Sequence, residues 1–178
     1  MMEKKAFNVH KIALLGVLTA GTIVIAILES FIPSIGIPGV KLGLANIMIL
    51  VILYELGIWE AVVVNLTRVL VVGLIRGTFL SMGFVMSLVG ATLSLAVMIL
   101  FYLLIRKFSI VGVSVIGSVF HVTGQILVAM IYLGTSYVIF YLPIIAISAI
   151  ITGILVGFTA KMIIDTGIIK KQKEKYNL

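Results

Sequence analysis

The sequence predicts an all-α integral membrane protein with six transmembrane helices and both termini in the cytoplasm. Of its 178 residues, 62% are hydrophobic and 11% are charged, whereas a soluble domain carries roughly 25% charged residues. A soluble globule of this length could not bury so many apolar side chains. The charges also divide the chain into apolar stretches near the roughly 20 residues that cross a bilayer. We therefore expect one membrane domain over residues 1–178.

The first half of the chain contains three predicted spans. Residues 12–32 form the first, which ends where Pro33–Gly39 becomes too rich in Gly and Pro to continue a helix. Residues 41–56 and 59–76 form the second and third, on either side of a polar turn with an interfacial Trp59. The stretches between their flanking charges, 42–54 and 61–75, are short, and the second of them contains Arg68. A re-entrant hairpin is therefore the alternative for these two.

The second half contains the other three spans. Residues 80–105 form the fourth, which Arg106 and Lys107 close. No charged residue occurs from Phe108 to Ala160, a stretch of 53 residues that is too long for one helix. We expect two helices, 109–132 and 139–163, with the break at Gly134–Tyr137. Small residues spaced four apart predict close helix packing, as in Ser87-xxx-Ala91, Gly90-xxx-Ser94 and Ala149-xxx-Gly153-xxx-Gly157.

The distribution of basic residues predicts the orientation. An even number of spans puts both tails on one side of the membrane. Because most Lys and Arg residues lie in the tails, and cytoplasmic segments are rich in these residues, that side is the cytoplasm. The membrane is then expected to be the cell membrane. The same pattern argues against a nucleic-acid partner and makes membrane lipid the surroundings of the chain. The tail residues are Lys4, Lys5, Lys11, Lys161, Lys170, Lys171, Lys173 and Lys175.

Several kinds of chemistry are excluded. There is no cysteine, and His10 and His121 are the two histidines, so disulfides, Cys-based zinc sites and thiol catalysis are not expected. No Asp-rich cluster for magnesium and no phosphate-binding G-x-x-x-x-G-K-[ST] loop occurs. We expect a protein that is not an enzyme, with no catalytic residue, metal or cofactor, and with any energy source in a partner. The six acids are Glu3, Glu29, Glu55, Glu60, Asp165 and Glu174.

A few polar residues lie where lipid should exclude them, since each charged group near the bilayer centre costs about 2.5–3.5 kcal/mol on insertion scales. Asn65, Arg68 and Arg76 share one face of the third span. Glu29, Lys41, Arg68 and Arg76 sum to +2 in the outer half, which predicts an anionic ligand with an apolar body. The predicted substrate-binding residues are Glu29, Lys41, Asn46, Asn65, Arg68, Arg76, His121 and Gln125.

Each of these residues also has a structural interpretation. In this structural alternative Glu29 forms an ion pair with Arg68, while the side chains of Lys41 and Arg76 extend to the outer lipid headgroups. His121 and Gln125, one helical turn apart, then only bridge helices.

The residues around these positions resemble the Gx transporter family, whose members are often labelled heptaprenyl diphosphate synthase component I. The family is similar to the substrate-binding S components of energy-coupling factor (ECF) transporters. Glu29-Ser30 precedes the most specific stretch, and Arg68, His121 and Gly124-Gln125 follow it. The matching runs are Ile37-Pro38-Gly39-Val40-Lys41-Leu42-Gly43-Leu44-Ala45-Asn46 and Phe108-Ser109-Ile110-Val111-Gly112-Val113-Ser114.

The resemblance implies an S-component-like bundle of six helices that docks on one ECF transmembrane subunit and two ATPase subunits. It implies that loop 33–40 covers the substrate as a gate, with turns set by Pro33, Gly36, Pro38 and Gly39. S components carry an Ala-xxx-Ala docking pattern on their first helix. Here Val17 follows Ala13, so the docking residues predicted are Ala13, Gly16, Val17 and Ala20.

Three functions remain open at this point. The leading hypothesis is the S component of an ECF-type importer that captures a small amphipathic anionic nutrient, or an isoprenoid- or quinone-related precursor, on the outer side. The alternative is a non-catalytic membrane subunit associated with heptaprenyl diphosphate synthesis, although a cytoplasmic partner would face away from an outward site. A stand-alone secondary carrier, completed as a dimer, is the third.

Overall fold

The computed structural model describes residues 9–31, 43–104 and 108–176, and within these ranges every regular element is a helix. This confirms the all-α prediction. A 3-10 turn, Ser136–Tyr141, leads into the sixth helix. The helices are α1 (Val9–Glu29), α2 (Asn46–Glu55), α3 (Ile58–Ile75), α4 (Met82–Leu104), α5 (Ile110–Leu133), α6 (Leu142–Asp165) and α7 (Ile168–Tyr176).

Five helices of the described chain are long and apolar enough to cross a membrane: α1, α3, α4, α5, and α6 with its preceding 3-10 turn. Helix α2 is shorter than the span predicted over 41–56. Its ten residues rise about 15 Å at 1.5 Å per residue, roughly half of a 30 Å hydrocarbon core. Six complete spans and the cytoplasmic position of the termini therefore stay predictions.

Helix α2 is short and apolar because it lies inside the bundle. Its residues Ile49–Leu53 have no exposed surface, and it packs against α1, α3, α5 and α6. Most of its apolar side chains therefore contact protein, while Ile47, Met48 and Tyr54 are partly exposed. Composition alone does not distinguish such a buried helix from one that faces lipid.

The two connections that the sequence predicted by charge and Gly content are found where expected. Gly57, at φ +127°, precedes α3, and Trp59 on its first turn is exposed. Gly134 ends α5 in the left-handed conformation, with φ +61°, which glycine adopts without a steric penalty. The predicted break at Gly134–Tyr137 is thereby confirmed.

Small residues allow α4, α5 and α6 to approach closely, as their spacing predicted. A Cβ atom built on Gly124 would lie 3.0 Å from the Cα atom of Gly90 in α4. A Cβ atom on Gly157 of α6 would lie 2.6 Å from the Cα atom of Val111 in α5. Helix α5 is therefore the central element of a three-helix layer.

Contacts between distant segments bring both ends of the described chain to one end of the bundle. The rings of His10 and Tyr176 stack with centroids 4.1 Å apart, and Lys11 forms an ion pair with Glu60. We call this the terminal end, and the opposite end, where α1 finishes, the cavity end. The sequence predicted residues after 163 only as a basic tail, whereas the structure forms helix α7 there.

Candidate functional site

A cavity opens between α1, α3, α4 and α5 toward the cavity end. It is small, with a volume of about 20 Å³, and is partly open to the exterior. Three of the predicted ligand-binding residues, Glu29, Arg68 and His121, line it from three different helices. Its lining is Ala26, Glu29, Gly43, Arg68, Val69, Val72, Ser87 and His121.

Arg68 supplies the guanidinium group of this cavity and is buried, with 5% of its surface exposed. Its Nη2 atom donates to Oδ1 of Asn65 at 2.8 Å, and the Nδ2 atom of Asn65 donates to the carbonyl oxygen of Ala91 at 3.2 Å. Its Nε atom is buried and has no hydrogen-bond partner within the described part of the chain. Since a guanidinium has five N–H donors in a planar fork, Arg68 retains capacity for acceptor oxygens.

Glu29, the last residue of α1, is also buried. Its Oε1 atom accepts a hydrogen bond from the backbone N–H of Gly43, where φ is +81°. Among residues 9–31, 43–104 and 108–176, no ion pair within 4.0 Å joins Glu29 to Arg68. The carboxylate therefore anchors the segment that enters α2. The direct pair of the structural alternative is not present.

His121 lines the cavity, and two buried amide side chains that are not part of the lining, those of Gln125 and Asn46, lie close by. The Nε2 atoms of Gln125 and His121 lie 3.2 Å apart, one turn along α5. The Nδ2 atom of Asn46 lies 3.5 Å from Oγ of Ser94. A Cβ atom on Gly43 would lie 3.1 Å from Asn46 Nδ2 and 3.7 Å from His121 Cδ2, so these three residues are neighbours.

A second cavity, with a volume of about 70 Å³, adjoins the first and contains the exposed Arg76. We call this second cavity the outer cavity, with Arg76 at its mouth, and the first the inner cavity. Val69, Val72 and Ser87 line both cavities. Arg76 is eight residues beyond Arg68, about 12 Å along the helix axis. The two arginines therefore line two neighbouring cavities that share a mostly apolar wall. The other residues of the second lining are Gly73, Thr78, Gly83 and Phe84.

The charge of this region is distributed unevenly. In the inner cavity, Glu29 and Arg68 have formal charges that cancel. Arg76 adds one positive charge in the outer cavity. The predicted +2 also includes Lys41, which lies outside the described residues. The excess of the described groups is therefore +1, and it lies toward the mouth.

The other predicted residues fall into two groups. Lys41 and the gating-loop residues Pro33, Gly36, Pro38 and Gly39 are outside the described residues. The four predicted docking residues lie on one exposed face of α1, and a Cβ atom on Gly16 would contact nothing within 4 Å. These four residues are Ala13, Gly16, Val17 and Ala20.

Sequence reasoning did not identify the small and apolar parts of the cavities, namely Ala26, Gly43, Val69, Val72, Gly73, Ser87 and Phe84. Ser87 was noted for its packing spacing, and Gly43 only as part of the family motif. Apolar residues give no functional signal in a chain that is 62% hydrophobic. Within the described ranges, no group of three or more His, Cys, Asp or Glu side chains could hold a metal ion.

Comparison with protein families gives one result that bears on function. A family model described as heptaprenyl diphosphate synthase component I matches residues 18–163. The match includes every residue that lines the two cavities. No curated protein and no solved structure matches the chain.

Proposed function

Because the chain belongs to the heptaprenyl diphosphate synthase component I family, we propose that it is a non-catalytic membrane subunit associated with polyprenyl diphosphate synthesis. In this role it holds a prenyl diphosphate, with the diphosphate at Arg68. The observation that supports the proposal best is a buried guanidinium whose Nε atom has no partner among the described residues and which lines a cavity.

The chemistry of the cavities suits an amphipathic anion. A guanidinium fork binds phosphate oxygens through charge-assisted hydrogen bonds. Val69 and Val72 offer an apolar wall that continues from the inner to the outer cavity. Arg76 supplies a second cation at the mouth. A prenyl diphosphate combines the two properties that this lining would recognise.

The non-catalytic part of the proposal follows from the placement of the acids. Elongation of a prenyl diphosphate uses magnesium held by carboxylates. Glu29 lines the inner cavity, whereas Glu60 forms an ion pair with Lys11 at the terminal end. Glu55 lies at the same end, where its backbone carbonyl accepts a hydrogen bond from Lys173. In this proposal chain elongation takes place on a partner subunit. The membrane protein presents the lipid to that subunit or accepts the lipid from it.

Equilibrium binding to purified protein in nanodiscs tests this function. Farnesyl diphosphate should bind, and farnesol, which lacks the anion, should bind far more weakly. Arg68→Ala should weaken diphosphate binding by about 30-fold or more, because truncation in a buried charged contact costs about 2 kcal/mol or more. Arg68→Lys should have an intermediate effect, since lysine lacks the planar fork.

Lys161→Gln is the matched control, because Lys161 is an exposed cation on α6 away from both cavities. Thermal unfolding of each variant without ligand separates binding from folding. If Arg68→Ala does not fold, Arg68→Lys decides the question. Equal affinity for farnesol and farnesyl diphosphate, or a folded Arg68→Lys protein with unchanged affinity, would contradict the proposal.

The exposed small-residue face of α1 favours a second candidate, the S component of an ECF-type importer in the cell membrane. In that function Ala13, Gly16, Val17 and Ala20 contact an ECF transmembrane subunit, which two ATPase subunits energise. Small residues permit such close helix contacts. Co-expression with a tagged transmembrane subunit should then retain the protein, and Ala20→Trp should release it. Retention by a prenyl synthase subunit instead would support the first candidate.

A further inference from the structure

Helix α7 packs against the terminal end of the bundle. Ile169 is buried in the main hydrophobic core, and the Nζ atom of Lys173 donates to the carbonyl oxygen of Glu55 at 2.5 Å, where α2 ends. Tyr176 stacks on His10 at the start of α1. These three contacts hold α7 across the ends of α1 and α2.

A groove lies between α7 and α1 at this end. Its volume is about 290 Å³, and it is open to the exterior along one side. Ala13, Leu14 and Val17 form its apolar wall on α1, and Val17 is 70% exposed. On the other side, Gln172 and Tyr176 of α7 lie one turn apart, with His10 at the rim. The groove therefore combines an apolar wall with a polar one.

Helix α7, which supplies Gln172 and Tyr176 to this wall, is strongly basic, and its lysines lie beside the groove lining rather than in it. Helix α7 contains four lysines and one glutamate, a net charge of +3. Lys170, Lys171 and Lys175 are exposed, and the Nζ atom of Lys175 lies 5.2 Å from the centroid of the Tyr176 ring. Lys171 and Lys175 are adjacent in sequence to the groove residues Gln172 and Tyr176. Lys171 and Lys175 are one helical turn apart and therefore share a face of α7, so a single anion beside the groove can contact both.

The position of α7 in the membrane determines what such an anion belongs to. Helix α7 starts at Ile168, three residues after the end of the apolar helix α6, so it lies at the boundary between hydrocarbon and water. Lipid phosphates occupy this depth, and basic pockets beside membrane helices bind anionic headgroups. A protein helix could cover the apolar wall but would leave the three exposed lysines without a role.

We propose that the groove between α1 and α7 is a binding site for an anionic phospholipid. The headgroup phosphate contacts Lys171 and Lys175, and an acyl chain lies along Ala13, Leu14 and Val17. This site is separate from the Arg68 cavity and does not depend on the function proposed above.

The test uses the purified full chain in neutral detergent, titrated with dioleoyl phosphatidylglycerol or dioleoyl phosphatidylcholine and followed by native mass spectrometry. We expect phosphatidylglycerol to bind the more tightly. The double variant Lys171→Gln/Lys175→Gln should lose about 30-fold of that affinity, on the basis of about 1 kcal/mol for each lysine near an anionic surface. Lys161→Gln is the matched control and should retain the affinity of the natural sequence.

A second pair of variants tests the apolar wall. Val17→Trp fills the groove and should reduce lipid binding, whereas Val24→Trp, on the same exposed face of α1 but outside the groove lining, should not. Equal binding of the two lipids, or an unchanged preference in the double lysine variant, would overturn the proposal. So would a Val17→Trp protein that keeps its lipid but no longer retains a protein partner.

Discussion

Asn65 connects Arg68 to helix α4. The Nη2 atom of Arg68 donates to Asn65 Oδ1 at 2.8 Å, and the same amide donates through Nδ2 to the carbonyl oxygen of Ala91 at 3.2 Å. Because both of its ends are engaged, the amide fixes one side of the guanidinium. The other donors of Arg68 are then oriented independently of any ligand, which is the preorganisation that an anion site needs.

The first prediction concerns this amide. Asn65→Asp places a carboxylate against the guanidinium and should weaken farnesyl diphosphate binding by about tenfold or more, because the cation is neutralised. Asn65→Leu removes the hydrogen bonds without adding charge and should mainly cost stability, about 1–3 kcal/mol. Binding and thermal unfolding are measured for both. If the two variants weaken binding equally, the loss does not come from charge.

The second prediction concerns Arg76, which is exposed at the mouth of the outer cavity. Arg76→Gln should weaken binding by only about three- to tenfold, since water screens an exposed charge. That loss should shrink as the salt concentration rises from 50 to 500 mM, whereas the effect of Arg68→Ala should persist. Binding isotherms at the two salt concentrations measure this difference. A loss for Arg76→Gln that is independent of salt would contradict it.

The third prediction compares two glycines. Gly157→Ala should destabilise the bundle by about 1–3 kcal/mol, since its Cβ atom would lie 2.6 Å from the Cα atom of Val111. Gly16→Ala is the control, because a Cβ atom there contacts nothing within 4 Å. Alanine favours a helix by up to about 1 kcal/mol over glycine, so this variant should be neutral or more stable. Unfolding in detergent measures both, and equal effects would contradict the close approach of α5 and α6.

The fourth prediction concerns orientation. The chain contains no cysteine, so single cysteines can be labelled without background. An impermeant maleimide should label Thr78→Cys, beside the outer cavity, on intact cells. It should label Gln172→Cys, at the terminal end, only after the membrane is opened. That pattern would leave the Arg68 cavity facing away from a cytoplasmic synthase and would favour the second candidate, the importer. The reverse pattern would invert the topology, place the cavity toward a cytoplasmic synthase and favour the first candidate.

The sequence carried strong information about the polar part of the site. In a chain where lipid penalises every charge, Glu29, Arg68 and His121 stand out one by one, and the structure brings all three to one cavity. The helical spacing also placed Asn65 correctly beside Arg68. It could not show that Glu29 bonds to the backbone of Gly43, because that contact depends on the path between α1 and α2.

Two structural elements were beyond this kind of reasoning. Helix α2 is uniformly apolar, so its sequence does not distinguish a span from a helix buried by its neighbours. Helix α7 has alternating lysines that predict a solvated tail. Its docking depends on Ile169 and on the carbonyl oxygen of Glu55, more than a hundred residues away, and a single sequence does not reveal such a long-range partner.

The burial of α2 also has a consequence for biosynthesis. Its ten residues pack against α6, and the carbonyl oxygen of Glu55 is bonded by Lys173. During translation the contacts of α2 with α6 and Lys173 therefore cannot form until about a hundred further residues have been synthesised. Until then the surface that α6 covers must be shielded by lipid, by the translocation machinery or by a chaperone, so interrupted synthesis leaves α2 without part of its native packing.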